Sequence, residues 1–230
     1  MLLFMILWMS AAHANEESIP LSYLALGDSY TCGEGVSRDQ SFPYLLSEAI
    51  YKMEGQVVKP HVIAQTGWRS DELIEAIRGE KEIGKKCFDL ITVLIGVNNQ
   101  YQGKDIASFE KDLRILLQLS LDLACTKEKS ILMLSIPDYG YTPFGQKSGK
   151  AQSISKELQA FNQSIQDFSK VNNIEWVELT DLSKKALGRK DYLTQDELHP
   201  SKVQYQDWVE QRIFPKWNEK VFPLMEKKNR

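Results

Sequence analysis

Short apolar runs alternate with longer amphipathic stretches along almost the whole chain. "LSYLALGDS" is apolar up to Gly27 and then turns polar, the pattern of a strand that ends in a loop. "SFPYLLSEAIYKM" follows with helical spacing, with Ser41 at the cap position and Pro43 in the first turn. "HVIAQTG" predicts a second strand, and "SDELIEAIRG" a short helix with Ser70 as N-cap and Gly79 near its end. The run "FDLITVLIGVNN" is the most apolar of all and predicts a central strand covered on both faces. In "SFEKDLRILLQLSLDLAC", Phe109, Leu113, Leu116, Leu117 and Leu121 recur at the helical period. "SILMLSIPDYG" predicts a fourth strand, "SISKELQAFNQSIQDFSKV" a helix, and "IEWVELTDL" a fifth strand with the alternation of an edge. A closing helix is expected from near Pro200, through Tyr205, Trp208, Val209 and Ile213.

Regular strand–helix alternation predicts an α/β fold, a parallel sheet with helices on both faces. Right-handed crossovers leave few topologies, and five strands point to a flavodoxin-like three-layer α/β/α arrangement in the order 2-1-3-4-5. Ligands of such sheets bind beyond the carboxyl ends of the strands. That rule selects the loops after Gly27, Thr66, Gly96, Pro137 and Leu182 for chemistry.

Composition narrows the picture further. The 230 residues are 43% hydrophobic and 26% charged, with a net charge of −3, so no basic field favours a nucleic-acid partner. The first residues, "MLLFMILWMSAAHA", are apolar and end in small residues; Ala12-His13-Ala14 fits a signal-peptide cleavage site. The apolar run, about eleven residues, is too short for a stable membrane span. Residues 1–14 are therefore expected to be a signal peptide and 15–230 one mature domain, periplasmic or extracellular. A core strand or surface anchor is the rival reading of this start.

The selected loops carry a set of groups suited to acyl transfer. Loop one holds Asp28 and Ser29, loop two Gly67, loop three Asn98 and Asn99, and the stretch "QDELHP" beyond the fifth strand holds Asp196 and His199. Ser29 in a Gly-Asp-Ser turn can be a simple cap. As a nucleophile it needs a base, and histidine suits that task because its ordinary pKa lies near neutrality. Of three histidines, His13 belongs to the leader and His61 starts a strand at the opposite end of the sheet, which leaves His199. Asp196 lies three residues earlier, within reach of its Nδ1 in a turn. The backbone N–H groups of Ser29 and Gly67 and the side-chain amide of Asn98 are the expected oxyanion donors.

Read together, "GDSY", "TGW", "GVNN" and "DELHP" resemble, in this order, the blocks of the SGNH hydrolases, also called GDSL esterases/lipases. The resemblance runs from about Leu21 to Trp217. It implies a serine esterase with Ser29 as nucleophile, His199 and Asp196 completing a triad, Gly67 and Asn98 as oxyanion donors, and no cofactor. Substrates would be small-molecule acyl esters: short-chain esters, lysophospholipids, thioesters or acetylated sugars. Two positions depart from the family pattern: Tyr30 stands where Leu is usual, and Asn99 where Asp is usual.

Tyr30, Trp68, Tyr139, Tyr141 and Phe144 are candidates for the walls of a substrate pocket, and Arg69 for contact with an anionic substrate. Cys32 is a rival nucleophile. Cys87 and Cys125 flank the third strand and its return helix at the amino end of the sheet, and are expected to form a disulfide. No C-x-x-C pair or His cluster suggests a metal, and neither a complete G-x-G-x-x-G, a P-loop nor a G-x-S-x-G elbow is present. The competing function is a non-catalytic carbohydrate- or lipid-binding module on the same fold.

Overall fold

The computed structural model describes residues 21–55 and 58–223. The expected signal peptide lies outside the described residues. Five parallel strands form one sheet: β1 (Tyr23–Gly27), β2 (Pro60–Ala64), β3 (Leu90–Leu94), β4 (Ile131–Leu134) and β5 (Glu175–Val177). Their order is β2-β1-β3-β4-β5, the expected doubly wound arrangement. In register, Gly27 of β1 pairs with Ala64 of β2 and with Leu94 of β3, so these three strands end level with one another. β1, β3 and β4 are buried along their whole length, which is why they read as unbroken apolar runs.

The helices are α1 (Ser29–Cys32), α2 (Phe42–Glu54), α3 (Ser70–Gly79), α4 (Val97–Tyr101), α5 (Ile106–Leu123), α6 (Pro143–Lys147), α7 (Ala151–Val171), α8 (Thr180–Ser183), α9 (Lys202–Trp208) and α10 (Phe214–Lys220). α5 packs between α3 and α7 on one side of the sheet, while α2 packs against α9 and α10 on the other. α9 and α10 are joined by a π-helical stretch, Val209–Ile213. The core is continuous across both layers and includes the fully buried Trp208 and Trp217. In α5, Phe109, Leu113, Leu116 and Leu117 are buried as their period requires; Leu121 is only half-buried.

Two local expectations about caps are corrected. Ser41 sits at the start of α2 but its hydroxyl donates to Arg38 O at 2.8 Å, back into the preceding turn rather than onto the helix. At α3 the cap is Arg69; Ser70 is the first helical residue, its Oγ drawn 2.5 Å from Asp112 on α5. The closing helical stretch begins near Pro200 as expected, with α9 starting at Lys202 and capped by the hydroxyl of Ser201.

At the amino end of the sheet Cys87 and Cys125 are bonded, 38 residues apart. Their neighbours Phe88 and Ala124 form a parallel bridge that extends β3 toward the end of α5. No helix among the described residues is long and apolar enough to cross a membrane.

Candidate active site

The site is built at the carboxyl end of β1. Gly27 ends that strand with no room for a side chain: an added Cβ would lie 2.1 Å from Thr31 Oγ1 and 2.4 Å from Leu94 O. The chain then turns directly into α1, with Asp28 as cap accepting from Tyr30 N at 3.1 Å. Ser29 is thereby the first residue of a helix, where a backbone N–H has no intrahelical partner. Ser29 Oγ makes no hydrogen bond among the described residues, to His199 or to any other group.

Asp28 is buried. Its Oδ2 has no hydrogen-bond partner among the described residues, and burial pushes its carboxyl up to about 7, against the pull of the Tyr30 N–H. It braces the turn and lies outside the lining of the neighbouring cavity.

The loop carrying His199 is pinched at its base by the Leu193–Pro200 bridge and by Thr194 N donating to His199 O at 2.9 Å. Glu197 takes left-handed backbone (φ 62°), which folds the loop tightly enough for Asp196 to reach forward. Asp196 Oδ1 accepts from Thr194 Oγ1 at 2.6 Å and from the N–H groups of Leu198 and His199, both at 2.9 Å. Its Oδ2 lies 2.6 Å from His199 Nδ1. Partial burial raises the pKa of Asp196, but the bonds from Thr194, His199 and the two backbone amides outweigh it and bring the carboxyl down to about 2. An ionised Asp196 accepts only, so Nδ1 carries the proton and Nε2 is left as the basic nitrogen. The His199 side chain is 12% exposed, and its ring lies 5.7 Å from that of Tyr30.

Ser29, Gly67, Asn98 and His199 line one cavity of about 210 Å³, with Tyr30, Val97, Tyr101, Tyr139, Phe144 and Leu198 among its walls. Gly67 has left-handed backbone (φ 86°), which favours glycine. Its N–H makes no hydrogen bond among the described residues. Asn98 Nδ2 donates to Trp68 O at 2.9 Å. That bond uses one amide proton and fixes the plane of the other.

Residues 25–206 match the family described as GDSL-like Lipase/Acylhydrolase. The chain belongs to this family. It is accordingly a carboxylic ester hydrolase by class, and the sheet order agrees with the family's fold. None of the curated proteins matches the chain in sequence. Among solved structures, a G-D-S-L family member from Veillonella parvula superposes with a TM-score of 0.67 at 15% identity, covering 86% of this chain and 97% of that one. The lipase/acylhydrolase from Enterococcus faecalis gives 0.66 at 20%, covering 86% and 96%. An acetylxylan esterase from Geobacillus stearothermophilus gives 0.65 at 16%, covering 85% and 93%. Likeness at this level of identity concerns the fold.

Against the GDSL pattern, the two departures have distinct settings. Tyr30 is buried beside the rings of His199 and Trp208. Asn99 does not face the cavity: its Oδ1 accepts from Ser70 N at 3.0 Å and its Nδ2 donates to Ser70 Oγ at 2.7 Å. An amide there clips the loop bearing Gly67 to the one bearing Asn98, so the charge missing from position 99 is not missing from the cavity wall.

Of the five wall candidates, Tyr30, Tyr139 and Phe144 line the cavity and two do not. Trp68 packs its ring on the core and contributes only its carbonyl to Asn98. Tyr141 lies across the Asp138–Thr142 turn, facing a second groove, with Lys184 Nζ 5.1 Å above its ring. Arg69 is engaged by Asp71, Glu72 and Gln102, which leaves it little to offer an anionic substrate. Cys32 Sγ lies 3.7 Å from both Ser29 O and Thr66 Oγ1, outside the cavity lining. Burial pushes its thiol up, the opposite of what a nucleophilic cysteine needs.

Tyr101, Val97, Thr66, Leu198 and Thr194 escaped the sequence reading. Tyr101 had a usable signal, since it stands three residues beyond Asn98 and so on the same face of α4. Thr194 carried only the weaker mark of a hydroxyl two residues before Asp196.

Proposed function

We propose that the protein is an exported serine esterase that hydrolyses small acyl esters through Ser29, His199 and Asp196. The observation that carries this reading is one shared cavity: Ser29, Gly67, Asn98 and His199 line it, and Asp196 clasps His199 from behind. Ser29 Oγ attacks the ester carbonyl and passes its proton to His199 Nε2. Asp196 stabilises the resulting imidazolium through Nδ1. The N–H groups of Ser29 and Gly67 and the second amide proton of Asn98 receive the negative oxygen of the tetrahedral intermediate. Collapse breaks the ester C–O bond, and the imidazolium returns its proton to the leaving alcohol. Water, deprotonated by His199, then hydrolyses the acyl-enzyme.

The cavity volume of about 210 Å³ is below the roughly 300–1,000 Å³ of sites for drug-sized ligands. Short acyl groups fit it better than long ones. Export rests on the leader-like residues 1–14, giving a mature chain of 15–230, and the bonded Cys87 and Cys125 suit an oxidising compartment.

Incubation with a fluorophosphonate should label wild-type protein at Ser29 and leave Ser29→Ala unlabelled, and only the wild type should turn over p-nitrophenyl acetate. Labelling at Cys32, or full turnover by the alanine variant, would overturn the assignment. N-terminal sequencing of secreted protein should begin at Asn15; retention of the leader in the cytoplasm would remove the export claim.

A further inference from the structure

A second groove begins where the cavity ends. The turn Asp138–Thr142 separates the two: Tyr139 faces the cavity, while Asp138, Gly140 and Tyr141 face the groove, which has a volume of about 830 Å³. Its long wall is one face of α7. Gln152, Gln159, Gln163 and Gln166 stand along it at helical spacing, and Trp176 of the edge strand β5 forms the opposite side. Beyond Trp176 it continues into a further depression of about 520 Å³, sharing Gln163, Gln166 and Trp176 and reaching Lys170. From Gln152 to Lys170 the helix rises about 27 Å.

The chemistry of this lining is selective. Its carboxylates are engaged within the protein: Asp138 by Lys184, Asp181 by Arg212, Glu175 by Lys216, Asp167 by Gln163, and Glu178 by Ser135 Oγ and Thr180 N, while Lys156 and Lys170 make no ion pair among the described residues. The glutamine amides are exposed, and those of Gln152, Gln159 and Gln166 make no hydrogen bond among the described residues. Each amide offers donors and an acceptor without charge. Trp176 is half-buried, so its ring is held by the core while part of it remains open to the groove. Uncharged donor–acceptor pairs beside a fixed aromatic face match a ligand with many hydroxyl groups and apolar C–H faces. They do not match an apolar chain.

We propose that this groove binds a neutral glycan chain several sugars long, and that the chain carries the ester that enters the Ser29 cavity. The link between groove and cavity rests on the esterase reading above; glycan binding in the groove does not.

Binding is read by isothermal titration with Ser29→Ala, using neutral β-1,4-linked hexasaccharides of xylose, glucose and N-acetylglucosamine, with a polyacidic oligosaccharide and an extended peptide as comparisons. Saturable binding of at least one neutral hexasaccharide is expected. It should weaken about tenfold in Trp176→Ala and measurably in Gln159→Ala and Gln166→Ala, whose exposed positions keep the fold intact. On an O-acetylated polymer of the bound sugar, Gln159→Ala and Gln166→Ala should raise KM and leave kcat alone. No binding by any neutral oligosaccharide, binding untouched by the three variants, or preference for the acidic oligosaccharide or the peptide would each overturn the proposal. Hydrolysis of p-nitrophenyl acetate by the wild-type chain separates the two claims. Turnover without glycan binding removes the groove and keeps the esterase; glycan binding without turnover does the reverse.

Discussion

The ring of Tyr30 lies 5.7 Å from the imidazole of His199, tilted by 59°, and 6.2 Å from the ring of Trp208. The residue after the proposed nucleophile thus backs the proposed base. Its carbonyl is held in turn by Tyr205, whose hydroxyl donates to Tyr30 O at 3.0 Å. Ser29 and His199 therefore share one packing unit, although they stand 170 positions apart in sequence (199 − 29).

If Tyr30 positions the imidazole, Tyr30→Leu should lower kcat by about tenfold, equivalent to roughly 1.4 kcal/mol of transition-state stabilisation. Tyr30→Phe, which keeps the ring, should stay near wild type. Steady-state kinetics on p-nitrophenyl acetate check this; equal losses in both variants would refute the positioning role.

Asp196→Asn replaces an obligate acceptor by a group that can donate to Nδ1 and so favour the wrong tautomer. A loss in kcat of about 10²-fold or more is expected, with little change in KM. Because its carboxyl titrates at about 2, Asp196 stays ionised throughout the range above pH 4. Any acid limb in the wild-type pH profile above that value therefore does not report the titration of Asp196 itself.

Asn98→Ala removes the one side-chain donor of the oxyanion set and frees Trp68 O. The expected cost is about 3 kcal/mol in kcat, roughly 10²-fold, while KM changes little. A variant with wild-type kcat would place the oxyanion elsewhere.

Asp28 gives a stability signature of opposite sign to an ordinary paired carboxylate. Its folded-state pKa of about 7 lies above the ordinary 3.8, so between these values the folded chain binds more protons than the unfolded one. Stability then falls as pH rises through that window, by up to about 4 kcal/mol. Thermal melts should shift downward between pH 5 and pH 8 in the wild type and much less in Asp28→Asn. A wild-type curve that rises over this interval would contradict the burial argument.

Reduction of the Cys87–Cys125 bond opens a loop spanning 38 residues and should lower stability by about 4 kcal/mol in the chain-entropy view. Thiol counting after unfolding without reductant should find one free thiol, Cys32, and after reduction three. Chemical unfolding with and without reductant measures the difference. Equal midpoints would show that the bond adds nothing.

Fold class and strand order are legible in the one-dimensional pattern, as is the rim at which the candidate site lies. These depend on period and composition, which act locally: β1, β3 and β4 must be apolar throughout because helices cover both faces, and α5 must repeat its leucines at the helical period. The same pattern also brought forward the four blocks bearing Ser29, Gly67, Asn98 and His199, because each stands at a strand end or beyond. Which aromatic side chains face the cavity is settled only when the elements pack. Trp68 and Tyr139 look alike in one dimension, yet one ring packs on the core and the other lines the wall, since direction depends on contacts between distant segments. The same holds for Asn99, whose amide is taken by Ser70, for Tyr30, whose partner His199 comes from the far end of the chain, and for the face of α7 set opposite Trp176. Local spacing specifies elements; side-chain orientation is settled when those elements pack, because burial and hydrogen bonding are satisfied over the whole molecule at once.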